Sequence, residues 1–196
     1  MNDFKLQPAD ILVTVNRKKD LWSRIRRWAV GPYSHVYLFL GKVALLTDWR
    51  QGRLIRAPLI FESNGRGCCL RLLSERYGET VVVMRLKSYE DRKRIPAILT
   101  EAIKLASDES ARYDYWCITR FIIPRIICEK LRLPLPLSWH RNPKQVCSEA
   151  VFEVFYRGGL EGILPTGVVP LPWDFVDSPL LGEVWQGQLM LDAQPK

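Results

Sequence analysis

Histidine is scarce in this chain of 196 residues, which contains only His35 and His140. Cysteine occurs five times, an odd number, and Cys68 and Cys69 are adjacent rather than spaced as in a metal knuckle. These counts argue against a disulfide framework and against a zinc site, which usually combines four Cys and His ligands. The sequence therefore predicts no metal and no other cofactor.

Long apolar runs are also lacking. The most apolar stretch, 116–137, is interrupted by Arg120, Pro124, Arg125, Glu129, Lys130 and Arg132. These charges are too many for a membrane span. The first residues contain neither an apolar signal segment nor a small-residue cleavage site. We expect the chain to start in the cytosol, and its action at a membrane or cell wall after export by another route stays open.

Internal repeats, low-complexity tracts and Gly/Ser linkers are absent as well. Hydrophobic residues make up 47% of the chain and charged residues 26%, which is ordinary for a globular protein. The sequence therefore predicts one folded domain over residues 1–196.

Basic residues outnumber acidic residues, which gives the chain a formal net charge of +8. Such a charge favours anionic partners, including membrane surfaces, acidic cell-wall polymers and nucleic acid. The segment 17–28 has basic residues interleaved with Leu and Trp at helical spacing. It fits either a helix on an anionic membrane or an ordinary surface helix. No nucleic-acid-binding motif accompanies the charge, so we expect no specific nucleic-acid partner.

Hydrophobic patterns change character along the chain. Strands are predicted at 11–15, 34–40, 54–62 and 80–86, with 43–49 as the hairpin partner of the second after Gly41-Lys42. Helices are predicted at 89–106 and 146–156, the second ending at Gly158-Gly159. Strands followed by helices indicate an α+β fold.

Cys147 opens the helix predicted at 146–156. The positive end of the helix dipole and the unpaired N–H groups there stabilise a thiolate over a thiol, and they can also hold an oxyanion. A small buried cysteine at a helix start is the structural alternative. Cys147 is therefore the candidate nucleophile.

A nucleophilic thiolate needs an imidazole that later protonates the leaving group. His35 lies on a predicted strand, whereas His140 lies in a loop shortly before Cys147. A third polar group should orient the imidazole. Glu62, at the end of an apolar strand, is the first candidate and Asp114 is the competing one, while a solvated strand end explains Glu62 equally well.

The order of these segments resembles a known family. An Ala-Asp-Ile-Leu strand, Tyr-Ser-His-Val before an apolar strand, Phe-Glu-Ser, Arg-Tyr-Asp-Tyr and Val-Cys-Ser-Glu-Ala opening a helix are similar to the circularly permuted, NlpC-type branch of the papain-like cysteine hydrolases. YiiX-like peptidases and amidases are the nearest group. The resemblance runs from about residue 9 to about residue 180. It implies a permuted papain-like fold, an antiparallel sheet or partial barrel packed against helices.

The resemblance also implies roles for residues of this chain. Cys147 matches the family's nucleophile, His35 its base and Glu62 its third polar residue, and the stretch 42–57 is longer than a tight hairpin needs. The expected reaction is amide cleavage through a Cys147 thioester. Tyr113 or Gln145 is expected to supply a second oxyanion donor, and the sequence does not choose between them.

The resemblance identifies the reaction class more firmly than the substrate. A peptidoglycan-type or related amide is the first expectation, and a lipid acyl substrate is the alternative. The basic 17–28 segment and the apolar segment 116–140, either a lid over the site or ordinary packing, motivate that alternative. A binding module that keeps the fold without turnover is the non-enzymatic alternative.

Overall fold

The computed structural model describes residues 4–16, 31–48, 53–111, 113–134 and 145–190. Within them the chain has an α+β fold, in which an open antiparallel sheet packs against helices. This confirms the α+β part of the predicted fold class, and the circularly permuted papain-like arrangement stays a prediction. The extent of the single domain, 1–196, stays a prediction.

Six strands form the sheet, in the order β4-β3-β2-β1-β5-β6, and every neighbouring pair is antiparallel. The short central strand β1 is flanked by the long strand β2 and by β5. The strands are β1 (Ile11–Val15), β2 (Tyr33–Asp48), β3 (Arg53–Asn64), β4 (Gly67–Leu72), β5 (Thr80–Leu86) and β6 (Leu181–Gln188).

In the described residues, the α-helices and the π-helical turn lie between β5 and β6 along the chain. They are α1 (Tyr89–Arg92), α2 (Ile95–Ala106), α3 (Tyr115–Cys117), a π-helical turn (Ile118–Ile122), α4 (Ile123–Leu131), α5 (Cys147–Arg157) and α6 (Pro172–Val176). Two 3-10 turns cover Leu73–Arg76 and Glu161–Ile163.

The sheet has an apolar core on each face. Val36, Leu38 and Phe61 belong to the larger core, which the helices cover. Tyr37 and Ile60 belong to a smaller core on the opposite face, where Leu73 of the first 3-10 turn packs. Alternation along a strand explains this division, since neighbouring residues point to opposite faces.

The predicted hairpin at Gly41-Lys42 is wrong, because β2 continues through it to Asp48 and its hairpin partner is β3. Gly41 has φ +109°, and the pairing register shifts between Phe39 and Gly41. A glycine with positive φ accommodates a β-bulge, so the strand bends there and keeps its direction.

The predicted helix over 89–106 consists of two, α1 and α2. Pro96 has no N–H for the bond that a continuous helix would make four residues back, at Arg92. It lies instead in the first turn of α2, where that N–H is not needed.

The strands predicted at 11–15 and 80–86 are confirmed. The helix predicted at 146–156 begins at Cys147, and strand β6 was not predicted.

Two sequence predictions fall partly or wholly outside the described residues. The basic segment 17–28 is one, and His140 with the end of segment 116–140 is the other.

Candidate functional site

The candidate site lies where β2 and β3 separate. Their pairing stops at Leu38 and Phe61, although both strands extend beyond that point. From there β3 pairs with β4 alone, with Glu62 opposite Cys69, while β2 pairs with β1. The separation leaves backbone and side chains of both strands available to a third element.

That third element is the start of α5. Ser63 donates a hydrogen bond of 2.7 Å from its hydroxyl to the Gln145 carbonyl, which attaches the residues before the helix to β3. Val146 donates its N–H to the Glu149 carboxylate at 2.8 Å, so the first turn of α5 is capped by its own side chain. Cys147 is thereby held at the first helical position.

Cys147 is nearly buried, with an exposed fraction of 9%. The N–H groups of Val36 and Ser148 and the His35 ring are all in hydrogen-bonding contact with its sulfur. Burial raises the pKa of this thiol, but His35 and the two N–H groups outweigh burial, and the pKa of Cys147 falls below its usual value. The structure therefore favours a thiolate.

The imidazole of His35 contacts both Cys147 and Glu62. Its Nε2 lies 3.0 Å from Glu62 Oε2, and 21% of the side chain is exposed. Burial lowers the pKa of His35, but the Cys147 thiolate and the Glu62 carboxylate together raise it to about 10. Both shifts favour the ion pair of a thiolate and an imidazolium.

Glu62 is fully buried. Arg76 donates to both of its carboxylate oxygens, at 2.6 Å to Oε1, and Asn64 donates to Oε1 at 3.1 Å. Burial raises the pKa of Glu62, but the hydrogen bonds from His35 and Arg76 outweigh it and lower the pKa to about 2. Glu62 is thus an ionised carboxylate that fixes one nitrogen of His35.

Arg76 is a site residue that sequence reasoning missed. It lies in the 3-10 turn Leu73–Arg76 and also donates to Glu79 at 3.1 Å. Glu79 accepts a further bond from Thr14 at 2.9 Å. Nothing local in the sequence separates Arg76 from the many surface arginines. Arg76 could have been predicted only indirectly, because a buried carboxylate at Glu62 requires a nearby cation.

The two expected oxyanion donors occupy different environments. Tyr113 is half-buried beside Cys147, and burial together with the nearby thiolate raises the pKa of its phenol, which stays a neutral donor. Gln145 is buried, with its side-chain oxygen 3.9 Å from the Cys68 sulfur. Both stay candidates.

The competing carboxylate Asp114 has a local role. Its Oδ1 accepts the N–H of Cys117 at 3.0 Å, as expected of a residue preceding a helical turn. Cys68, Cys69 and Cys117 differ from Cys147 in the sign of their pKa shift. Burial raises the pKa of Cys68 to about 12 and also raises the pKa values of Cys69 and Cys117.

Two further properties concern the residues that the structure describes. No group of three or more His, Cys, Asp or Glu side chains among them is arranged to hold a metal ion. Each of the helices in the described ranges is too short or too polar to serve as a membrane span.

The fold is similar to a solved structure, that of the metalloprotein YiiX from Escherichia coli O157:H7, DUF1105. The two share a TM-score of 0.58 at 17% sequence identity, over 95% of this chain and 100% of the YiiX chain. At this identity the similarity establishes a shared YiiX-like fold. No family model and no curated protein matches the sequence.

Proposed function

We propose that this chain is a cysteine hydrolase with a permuted papain-like fold, in which Cys147 is the nucleophile, His35 the acid and base, and Glu62 the residue that orients His35. One observation carries the proposal. Residues from two strands and a helix, far apart in sequence, meet so that a thiol, an imidazole and a carboxylate are in consecutive contact. This is the arrangement that nucleophilic thiol catalysis requires.

The reaction has two steps. The Cys147 thiolate attacks the carbonyl carbon of an amide or ester, and the backbone N–H of Cys147, with Tyr113 or Gln145, holds the oxyanion. The tetrahedral intermediate collapses to a thioester while His35 gives its proton to the leaving amine or alcohol. A water molecule then loses a proton to His35 and attacks the thioester, which releases the acid and restores the thiolate and imidazolium.

The chain order supports the permuted family. His35 and Glu62 precede Cys147, and the helix that begins with Cys147 follows the strands β2 and β3 that carry them instead of preceding these strands. The YiiX-like fold over nearly the whole chain is consistent with this interpretation.

A metal does not fit these residues, although YiiX is described as a metalloprotein. The Nε2 atom of His35 faces Glu62, and both Glu62 oxygens accept hydrogen bonds from Arg76. A metal ligand needs a free lone pair directed at the ion, and a buried carboxylate already neutralised by a guanidinium is a poor ligand. The proposed mechanism therefore uses only groups of this chain and a water molecule.

For the substrate, a peptidoglycan-type or related amide is the first candidate. A lipid acyl group is the second, because large apolar side chains are exposed on the helical segment next to the site, among them Trp116 and Leu131. Hydrolysis of muropeptides with none of phospholipid vesicles would favour the amide, and the opposite result would favour the lipid.

Thiol labelling tests the proposal. Iodoacetamide is reacted with wild type and His35→Ala between pH 4 and pH 9, and each cysteine is followed by peptide mapping. We expect Cys147 to react fastest, and well below the pH of about 8.5 at which a free thiol ionises. His35→Ala removes this reactivity, while Cys69→Ser, a matched change at a partly exposed thiol beside Glu62, leaves it unchanged.

The contrary result is equally clear. If Cys147 labels no faster than Cys117 or Cys128, the thiol is not activated and the hydrolase proposal fails. The binding module without turnover then becomes the interpretation to pursue.

A further inference from the structure

The outward face of the segment 115–133 is apolar where a solvated helix would be polar. Trp116 is 78% exposed and Leu131 is 62% exposed, and the face also includes Ile123, Ile127 and Leu133. We call these five residues the apolar stripe. In α4 its members recur at positions i, i+4 and i+8, so they lie on one side of the helix.

The stripe is not the side by which α4 packs onto the protein. Arg125, Ile126 and Cys128 form the buried side of that helix. A helix whose inner side is already packed has no need in the fold for a second apolar side. Clusters of large exposed apolar side chains usually mark an interaction surface.

Cations accompany the stripe. Arg120, Lys130 and Arg132 are exposed within the same segment. Its one acidic residue, Glu129, contacts Arg125 at 2.6 Å and is outnumbered by the three exposed cations. The surface is therefore apolar and basic together, within a chain of net charge +8.

The stripe begins next to the candidate site. The Cys117 sulfur lies 3.2 Å from the Glu149 carboxylate of α5, two residues from Cys147. Tyr115 donates its hydroxyl to the Gly65 carbonyl at 3.2 Å, in the turn after β3, and its ring contacts that of Tyr113. The segment that carries the stripe is therefore attached to the elements that form the site.

We propose that the apolar stripe docks the protein on an anionic lipid bilayer. Trp, Ile and Leu side chains enter the boundary between headgroups and acyl chains, while Arg120, Lys130 and Arg132 contact lipid phosphates. An anionic bilayer is the chosen occupant because it offers acyl chains to the apolar side chains and phosphates to the exposed cations. The docking proposal depends only on the properties of this surface and not on the proposed function. Its extension, that the acyl substrate comes from the bilayer, rests on the proposed function.

Vesicle flotation tests the docking, with vesicles of phosphatidylcholine alone and of phosphatidylcholine with phosphatidylglycerol. We expect wild type to float with the anionic vesicles. The double variant Ile127→Ser/Leu131→Ser should lose about tenfold or more in affinity, because two apolar side chains no longer enter the bilayer. Arg120→Gln/Arg132→Gln should lose a similar factor, because each cation contributes separately to binding at an anionic surface.

Matched controls lie on the other helices. Ile103→Ser removes an apolar side chain of similar exposure on α2, and Lys93→Gln/Lys104→Gln removes two exposed cations. Both controls should bind the anionic vesicles as wild type does. Circular dichroism melting checks that every variant is folded.

Three results would overturn the docking: wild type that does not bind anionic vesicles, stripe variants that bind as well as wild type, and a dimer in solution that Ile127→Ser/Leu131→Ser dissociates. The last result would mean that a second copy of the chain, and not a bilayer, covers the apolar stripe.

Iodoacetamide labelling of Cys147 in the same variants keeps the docking proposal and the hydrolase proposal separate. Normal labelling without vesicle binding refutes only the docking, and vesicle binding without fast labelling refutes only the hydrolase.

Discussion

Charges alternate along the side chains of the candidate site. The Cys147 thiolate faces the His35 imidazolium, which faces the Glu62 carboxylate, which faces the Arg76 guanidinium. Each charge is stabilised by the next, so the fully buried Glu62 stays ionised. In the proposed mechanism Arg76 is a positioning residue, because it holds the carboxylate that would orient His35.

The low pKa of Glu62 predicts a pH-dependent contribution to stability. Its folded-state pKa of about 2 lies below the reference value of 4.5. Ionised Glu62 therefore stabilises the fold above about pH 4.5, and this contribution disappears as the pH falls to about 2. We expect the stability advantage of wild type over Glu62→Gln to shrink by about 3 kcal/mol over that window.

Urea unfolding at a series of pH values measures this difference. Glu75→Gln, in the same 3-10 turn and paired with Arg71 at the surface, is the control and should show little change with pH. If the difference in free energy of unfolding between wild type and Glu62→Gln stays constant from pH 5 to pH 2, Glu62 is not preferentially ionised in the folded protein.

At the scale of elements, the position of α5 depends on close packing against α2. Gly158, directly after α5, lies against Ile98 of α2. A Cβ atom added at Gly158 would lie 2.5 Å from Ile98 Cγ1 and 3.0 Å from its Cα. Because one of these atoms is backbone, the clash cannot be relieved by a side-chain rotation alone.

We therefore expect Gly158→Ala to lower the free energy of unfolding by about 1 to 3 kcal/mol, the usual cost of overpacking. Chemical denaturation measures the change. Gly162→Ala is the matched control, since nothing lies within 4 Å of the added Cβ there, and its stability should stay close to that of wild type. Equal stabilities for the two variants would contradict the tight contact between α2 and α5.

For the whole molecule, one buried ion pair joins the helical segment 115–131 to the C-terminal part of the chain. Arg125 of α4 donates two hydrogen bonds of 2.7 Å to Asp174 of α6, and it also donates to the Val169 carbonyl. Both charged side chains are almost fully buried. The pair is a long-range connection, 49 residues apart in sequence, in the segment that carries the apolar stripe.

Removing one partner of such a pair leaves an uncompensated buried charge. We expect Arg125→Met to lower the free energy of unfolding by about 3 kcal/mol or more, and Arg125→Met/Asp174→Asn to recover part of that loss. Thermal and urea unfolding measure both. Arg120→Gln, an exposed cation next to the same helix, should change stability by less than about 0.5 kcal/mol. A similar loss in Arg120→Gln would argue that charge in general, and not the buried pair, matters.

Local patterns in the sequence predicted the elements best where a strand or helix is buried on a regular face. The strand 80–86 and the start of the helix at Cys147 follow from β-branched runs and from helical spacing. The turn at Gly41 was misplaced, since a glycine permits both a reversal and a bulge, and the pairing partner decides between them. The strand β6 was missed because its exposed polar residues depend on β5 for their pairing.

The sequence by itself determined the α+β class, because strand and helix patterns are local properties. It also made Cys147, His35 and Glu62 candidates, and the family resemblance favoured His35 and Glu62 over His140 and Asp114. Only the tertiary structure decided that these three side chains are in contact, that Arg76 neutralises Glu62, and that the stripe on α4 faces outward. The physical reason is that each of these features depends on residues brought together by strand separation and packing, which no local pattern encodes.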